Sequence, residues 1–282
     1  MSGAIAIVGG GWLGQPLALS IQQQGVHPVY VTRTSEQGVK ELQHAGLNGL
    51  LLKLPLTNQD QTSQFVQSLI EKNVSTIIGS FPPGFRKGQG QQYLLQWQAL
   101  IEVAKQANID NVIMVSSTTV YPQVSGTVKE EDATLQLAAN NALFSDNART
   151  MLAAEQALIE STLGYMIVRC SGLFGPNRHP GRFVSKLKSI SSAAPANMLH
   201  LQDAIGVIQF VLSRVTHQII NASSPALVYK SEFYQTALQQ YDATLNMPEI
   251  TTTADKQISS QKLQQSGYHF VYSNAIDGLQ HC

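Results

Sequence analysis

Three glycines near the start of the chain, Gly9, Gly11 and Gly14, stand in the spacing G-x-G-x-x-G, with Trp12 and Leu13 inside the loop. Ahead of them AIAIVGG (4–10) is a short apolar run ending in glycine. Behind them, residues 12–24 carry apolar side chains at helical intervals, with Pro16 in the first turn, where a missing N–H costs little. A strand, a glycine turn and a helix in that order can cradle a pyrophosphate. The first glycine permits the tight turn, the second lets the phosphates approach backbone N–H groups at the helix N-terminus, and the third lets helix and strand pack closely. The expected second strand ends Val31-Thr32-Arg33-Thr34. An acid roughly twenty residues beyond such a loop accepts from the 2′-hydroxyl of an NAD ribose, whereas an arginine accommodates the 2′-phosphate of NADP. Thr32 and Arg33 therefore point to NADP(H) in preference to NAD(H), and Glu36 is the nearest acid that would favour NAD.

A second constellation is VIMVSSTTVYP (112–122), an apolar run opening into Ser116, Ser117, Thr118, Thr119 and Tyr121. Hydroxyls at the C-terminal edge of a parallel strand face the crevice in which open α/β sheets bind ligands. A third is the loop carrying Asn177, Arg178, His179 and Arg182, with Lys186 and Lys188 soon after. Paired arginines suit a carboxylate or phosphate, so Arg178, His179 and Arg182 are candidates for holding an anionic substrate. A solvated loop whose arginines pair with surface acids is the equal alternative.

These groups need a scaffold, and the hydrophobic pattern describes one. Strand-like runs at 4–10, 26–33, 49–54, 74–81, 111–118 and 165–172 alternate with helical stretches at 12–24, 37–45, 64–72, 92–107 and 143–158. The runs are apolar throughout rather than alternating, as in strands buried on both faces. The pattern predicts an α/β protein with a doubly wound parallel sheet. A helix is expected at 199–215 and a last strand at 219–223. We expect a dinucleotide-binding domain over 1–172, a substrate-lobe loop at 173–195, the domain's final helix and strand within 196–223, and a small C-terminal substrate lobe at 224–282.

Composition narrows the function classes. The 282 residues are 43% hydrophobic and 13% charged, which argues against disorder. The formal net charge is zero, so no global field recruits nucleic acid or an anionic membrane. Cys170 and Cys282 make neither a disulfide framework nor a metal cluster, and no metal site is expected. With no signal-like start and no long apolar run, the expectation is a cytoplasmic protein.

The glycine loop together with SSTTVYP resembles the extended short-chain dehydrogenases/reductases of the NAD-dependent epimerase/dehydratase superfamily, whose members carry S-S-x-x-V-Y-G at this place. RCSGLFGP (169–176) and the H-x-x-D of His200 to Asp203 extend the likeness over nearly the whole chain. GGGWLGQPLAL, GTVKE and GPNRHPGRF narrow it to the bacterial YeeZ-type branch. The resemblance implies a Rossmann-type fold, Ser117 as the catalytic serine, and Ser80, Phe81 and Pro82 of the loop after the fourth strand beside the cofactor, with Ser116 close by. It also implies a flap over 80–92 containing Arg86 and Lys87. Dimers in that superfamily form through the helices at about 92–107 and 147–161. Trp97, Leu94, Leu95 and Leu100 leave a homodimer open here.

Three departures stand out. Val8 replaces the first glycine of the usual G-x-x-G-x-x-G, and Leu54-Pro55-Leu56 replaces an Asp that commonly caps the adenine. The family's Y-x-x-x-K maps onto Ser145 and Arg149. A serine hydroxyl is a far weaker acid than a phenol and needs a separate base, while the arginine proton is effectively fixed. Arg149 can keep the charge and the ribose contact, and Tyr121, His179 and Asp146 are the candidates for a replacement acid-base group. Two readings follow. One is an NAD(P)-dependent oxidoreductase or epimerase/dehydratase acting on a small anionic substrate such as a nucleotide-linked sugar. The other is a non-catalytic NADP(H)-binding redox sensor or interaction scaffold.

Overall fold

The computed structural model describes residues 3–56 and 58–282. The first stretch alternates strictly: β1 (Ala4–Val8), α1 (Gly14–Gln24), β2 (Val29–Arg33), α2 (Glu36–His44), β3 (Asn48–Leu51), α3 (Gln59–Glu71), β4 (Val74–Gly79), α4 (Gly90–Gln106) and β5 (Asn111–Ser117). The short β6 (Gly126–Val128) and α5 (Leu135–Ala138) precede α6 (Asp146–Ile159) and β7 (Gly164–Cys170). Then come β8 (Gly172–Phe174), α7 (Gly181–Val184), β9 (Ser189–Ser191), β10 (Met198–His200), α8 (Leu201–Leu212) and β11 (Gln218–Ala222). They are followed by α9 (Lys230–Tyr241), β12 (Glu249–Thr251), β13 (Lys256–Ile258) and α10 (Gln261–Gln265).

Seven strands form one sheet in the order β11-β7-β5-β4-β1-β2-β3. The neighbours β3 and β2, β2 and β1, β1 and β4, and β4 and β5 pair in parallel, as the uninterrupted apolar runs require. All five residues of β1 are buried. From β1 the chain winds outward to β3 and then returns to place β4 on the other side of β1. That reversal makes the crevice beyond the C-terminal ends of β1 and β4 the place where a doubly wound sheet accepts a ligand. Below the crevice Gly79 ends β4 against the Trp97 ring; a Cβ there would fall 2.2 Å from the indole. Trp97 and Leu100 are fully buried, so two of the four residues offered for a dimer face are core. Leu95 is exposed and Leu94 half-buried.

The chain divides into two compact units. The first holds the described residues through Ser116 together with Asp146–Val168 and Ile208–Ile219; the second holds Ser117–Ser145, Arg169–Val207 and Ile220–Cys282. Beyond the 173–195 and 224–282 stretches assigned to a substrate lobe from the sequence, the second unit takes in 117–145, 169–172, 196–207 and 220–223. The reason is pairing at long sequence range within that unit. β6 pairs with β13, β8 with β10 and β9 with β12, each parallel over three residues. Phe174, Val228, Phe233, Ala275 and Leu279 form one of its apolar centres. Among the described residues no helix is long and apolar enough to cross a membrane.

Candidate functional site

The glycine loop is built from both sides. Gly9 adopts φ of +108°, a conformation that L side chains rarely take. Its N–H donates to Thr32 Oγ1 at 3.1 Å, and the Gly10 N–H donates to the Thr32 carbonyl at 2.9 Å. Thr32, buried at the end of β2, therefore pins the loop from the neighbouring strand. A Cβ on Gly14 would fall 2.1 Å from the Gly9 carbonyl oxygen, whereas one on Gly11 would meet nothing within 4 Å. Gly14 is thus required by the fold, and Gly11 leaves room for a ligand. Helix α1 opens with no side-chain cap and no acid in its first turn, so the positive end of its dipole is kept for an anion.

Beside the loop lies a cleft of about 270 Å³, entirely within the first unit. Val8, Gly9, Gly10 and Gly11 border one side, Thr32, Arg33 and Thr34 another, and Leu52, Leu54, Phe81, Pro82 and Gln96 the remainder. The Arg33 stem lies along Gly38, where a Cβ would come within 3.0 Å of it. Its guanidinium donates from Nη2 to Gln15 Oε1 at 3.1 Å, while its buried Nε makes no hydrogen bond. Gln15 was not singled out in the sequence, because nothing but the fold brings the first turn of α1 to the end of β2. The room at Gly11, the uncapped helix and the unspent arginine donor fit the phosphates of a dinucleotide.

Of the expected cofactor residues, Gly9, Gly11, Thr32, Arg33, Phe81 and Pro82 border this cleft. Leu13 is buried and Trp12 half-buried. The Ser80 N–H donates to the Val8 carbonyl at 2.8 Å, which ties β4 to β1 beneath the site, and its hydroxyl is buried. The Ser116 hydroxyl turns inward and donates to the buried Glu155 carboxylate at 2.5 Å, bracing β5 against α6. The expected flap folds as a single 3₁₀ turn, Phe85–Lys87, between Gly84 and Gly88, both at positive φ. The Lys87 side chain lies outside the described part.

At the positions expected to move protons, Ser145 immediately precedes α6 and Arg149 sits in its first turns. Arg149 Nη1 pairs with Asp146 Oδ1 at 3.0 Å, and Asp146 is fully exposed. Ser117 Oγ accepts from the Thr119 N–H at 3.1 Å and shares a hydrogen bond with Thr119 Oγ1 at 3.0 Å, which turns the chain out of β5. Tyr121 is enclosed by its surroundings. It is 3% exposed; its hydroxyl donates to Asn221 Oδ1 at 2.6 Å and accepts from Arg169 Nη1 at 3.1 Å. Burial pushes this phenol up to about 12 despite the neighbouring guanidinium. A group so placed links three parts of the chain through its hydroxyl, and burial makes it a weaker acid than a free phenol. Arg169 is wholly buried and also donates to the carbonyls of Glu130 and Ala133 at 2.9 and 2.8 Å.

The second unit has its own cleft, of about 870 Å³, lined by polar groups that include Gln123, Ser125, Ser189, Ser191, Thr251 and Thr253. Lys230, Asp255 and Lys256 line it as a charge cluster, with Asp255 accepting from Lys230 Nζ at 2.8 Å and Lys256 Nζ at 3.1 Å. Arg178, His179 and Arg182 do not line it. The His179 ring stacks on Tyr241 at 5.6 Å and its Nδ1 accepts from the Gly181 N–H, and burial lowers its pKa. Arg182 donates to the Asn177 carbonyl at 3.0 Å, while Arg178 is exposed. Two of the three residues expected to hold substrate thus shape their own loop. Asp203, of the H-x-x-D pair, is wholly buried and accepts from Tyr268 Oη and from the N–H groups of Val271 and Tyr272, fastening the C-terminal segment.

A parallel sheet with this winding and a glycine loop at its switch point define a dinucleotide-binding α/β protein of Rossmann type. Residues 5–204 match the model of the NAD dependent epimerase/dehydratase family, and the chain belongs to that family. Protein YeeZ of Escherichia coli K12 is 32% identical over 235 residues, covering 82% of this chain and 81% of its own. Among solved structures, the Bordetella bronchiseptica enzyme WbmG in complex with NAD superposes with a TM-score of 0.77 at 15% identity, over 99% of this chain and 93% of that one. The UDP-glucose 4-epimerase of Thermotoga maritima with UDP-glucose gives 0.76 at 11% identity, over 98% and 96%. At such identities the two structures testify to the fold.

Proposed function

We propose that this protein binds NADP(H) in the cleft beside the glycine loop and acts as an oxidoreductase or epimerase/dehydratase on a small anionic substrate. The observation that carries the reading is the Arg33–Gln15 pair at the end of β2, beside a glycine loop with room at Gly11 and an uncapped helix behind it. Gly9, Gly11 and the start of α1 would hold the pyrophosphate, and Arg33 the 2′-phosphate. A nicotinamide bound there exchanges a hydride with a carbon that bears a hydroxyl or carbonyl. Arg149 offers positive charge but no transferable proton, and Ser117 offers a hydroxyl. Complexes of neighbours with NAD, and of two neighbours with UDP-glucose, support the cofactor class and suggest a nucleotide-linked sugar.

One observation favours a non-catalytic NADP(H)-binding sensor or scaffold: Ser145 and Arg149 stand where the relatives' proton-handling pair is expected, and Arg149 is engaged by Asp146. Calorimetric titration with NADPH, NADP⁺, NADH and NAD⁺ tests the shared premise. Micromolar NADP(H) binding that falls about tenfold or more in Arg33→Ala, with NAD(H) little changed, is expected. No binding by any of the four removes both readings. Consumption of NADPH with nucleotide sugars then separates enzyme from sensor.

A further inference from the structure

Resting on the cofactor reading above, we infer that Gln96 reads the base of the dinucleotide, accepting a hydrogen bond from the exocyclic amine of adenine. The cleft sorts its lining by chemistry. Phosphate-type contacts lie at the glycine loop and at Arg33, whereas the remaining wall is apolar: Leu52, Leu54, Phe81 and Pro82. A flat heteroaromatic ring matches such a wall, and its edge still needs polar partners, because a buried amine without an acceptor costs free energy.

Gln96, half-buried on α4, is the side-chain amide that borders this apolar part. Its orientation is fixed by a neighbour. Nε2 donates to the Leu54 carbonyl at 3.2 Å, an atom that can only accept, so the amide cannot be flipped without losing that bond. Oε1 of the same planar group is therefore turned away from Leu54 and remains an acceptor. An acceptor beside an apolar slot selects a donor edge. Adenine presents an N6 amine, while hypoxanthine presents an oxygen there and would set two acceptors against each other. The backbone of Leu54 thus holds the side chain that does the reading, although Leu54, Pro55 and Leu56 carry no polar side chain of their own.

The test is calorimetry of the whole protein with NADP⁺ and NAD⁺ against their hypoxanthine counterparts, in wild type and Gln96→Leu. Wild type is expected to bind the adenine forms about tenfold tighter than the hypoxanthine forms. In Gln96→Leu the adenine forms weaken toward the hypoxanthine forms, whose own affinity stays within about threefold of wild type. Equal binding of both bases by wild type overturns the inference without any substitution being needed, as does undiminished discrimination in Gln96→Leu. Either result leaves the cofactor reading intact. Failure of every dinucleotide to bind wild type overturns the cofactor reading and this inference together.

Discussion

Two glycines three residues apart do opposite work. Gly14 is packed so closely on the Gly9 carbonyl that Gly14→Ala must move the loop; a stability loss of about 1–3 kcal/mol is expected, with dinucleotide binding lost as well. Gly11→Ala places its methyl in open space. Its melting temperature should stay near wild type while dinucleotide affinity falls about tenfold or more, because the methyl stands where the pyrophosphate approaches. Thermal melts and calorimetry on the pair separate the two roles. Equal melting losses would show that Gly11 is structural too. Tyr121 illustrates how a side chain's type can mislead. Its place four residues after Ser117 suggested chemistry, but no local pattern announces that Asn221 and Arg169 enclose its hydroxyl.

Arg169, near the end of β7, joins elements that share no sequence neighbourhood with it: Tyr121 after β5, and the Glu130 and Ala133 carbonyls. Glu130 in turn accepts from the N–H of Asn221 on β11 at 2.8 Å. Arg169→Met leaves a buried hydroxyl and two buried carbonyls short of a donor, and a loss of about 3–5 kcal/mol is expected in chemical denaturation. Tyr121→Phe removes one link and should cost about 1–2 kcal/mol. If Tyr121→Phe left stability untouched, the structural reading of this tyrosine would fail. At this scale the sequence was legible where elements were long. The runs of β1, β2, β4, β5 and β7 are long enough to show as continuous apolar stretches, and α4 is long enough to show a helical stripe. Three-residue strands such as Gly126–Val128 and Lys256–Ile258 carry no period, and they exist because each finds its partner about 130 residues away. The Lys230–Asp255–Lys256 cluster was hidden for the same reason, since its members meet only once α9 and β13 are in place. Gln15 and Gln96, polar residues on helices, gave no local sign that one would bind Arg33 and the other line the cleft.

For the molecule as a whole, acid is a useful probe of the second unit. Burial pushes the Asp255 carboxyl up, but hydrogen bonds from Lys230 and Lys256 outweigh it and hold the group down at about 2. A carboxylate lower in the folded state than in the unfolded chain contributes stability that is present above about pH 4 and lost as pH falls toward 2. At a third exposure, solvent screening limits that contribution to below about 1 kcal/mol. Asp255→Asn should therefore melt slightly lower than wild type at pH 6 and match it near pH 2; a gap that persists at pH 2 would point to lost packing instead.

The path of the chain between the two units bears on how this protein is made. The backbone passes from one unit to the other at Ser116/Ser117 and back at Ser145/Asp146, leaves again at Val168/Arg169, returns at Val207/Ile208, and leaves for the last time at Ile219/Ile220. A ribosome delivers residues in order, so the first unit lacks part of its sheet until β11 has emerged, and β6 waits for β13. Early segments must stay soluble while incomplete, with β1 to β5 and the helices between them already synthesised while α6, which packs on α4, and the strands β7 and β11 at one end of the sheet are still to come. The interval between those events is when this chain is most exposed to aggregation and most dependent on chaperones, and it is set by topology, not by any single residue.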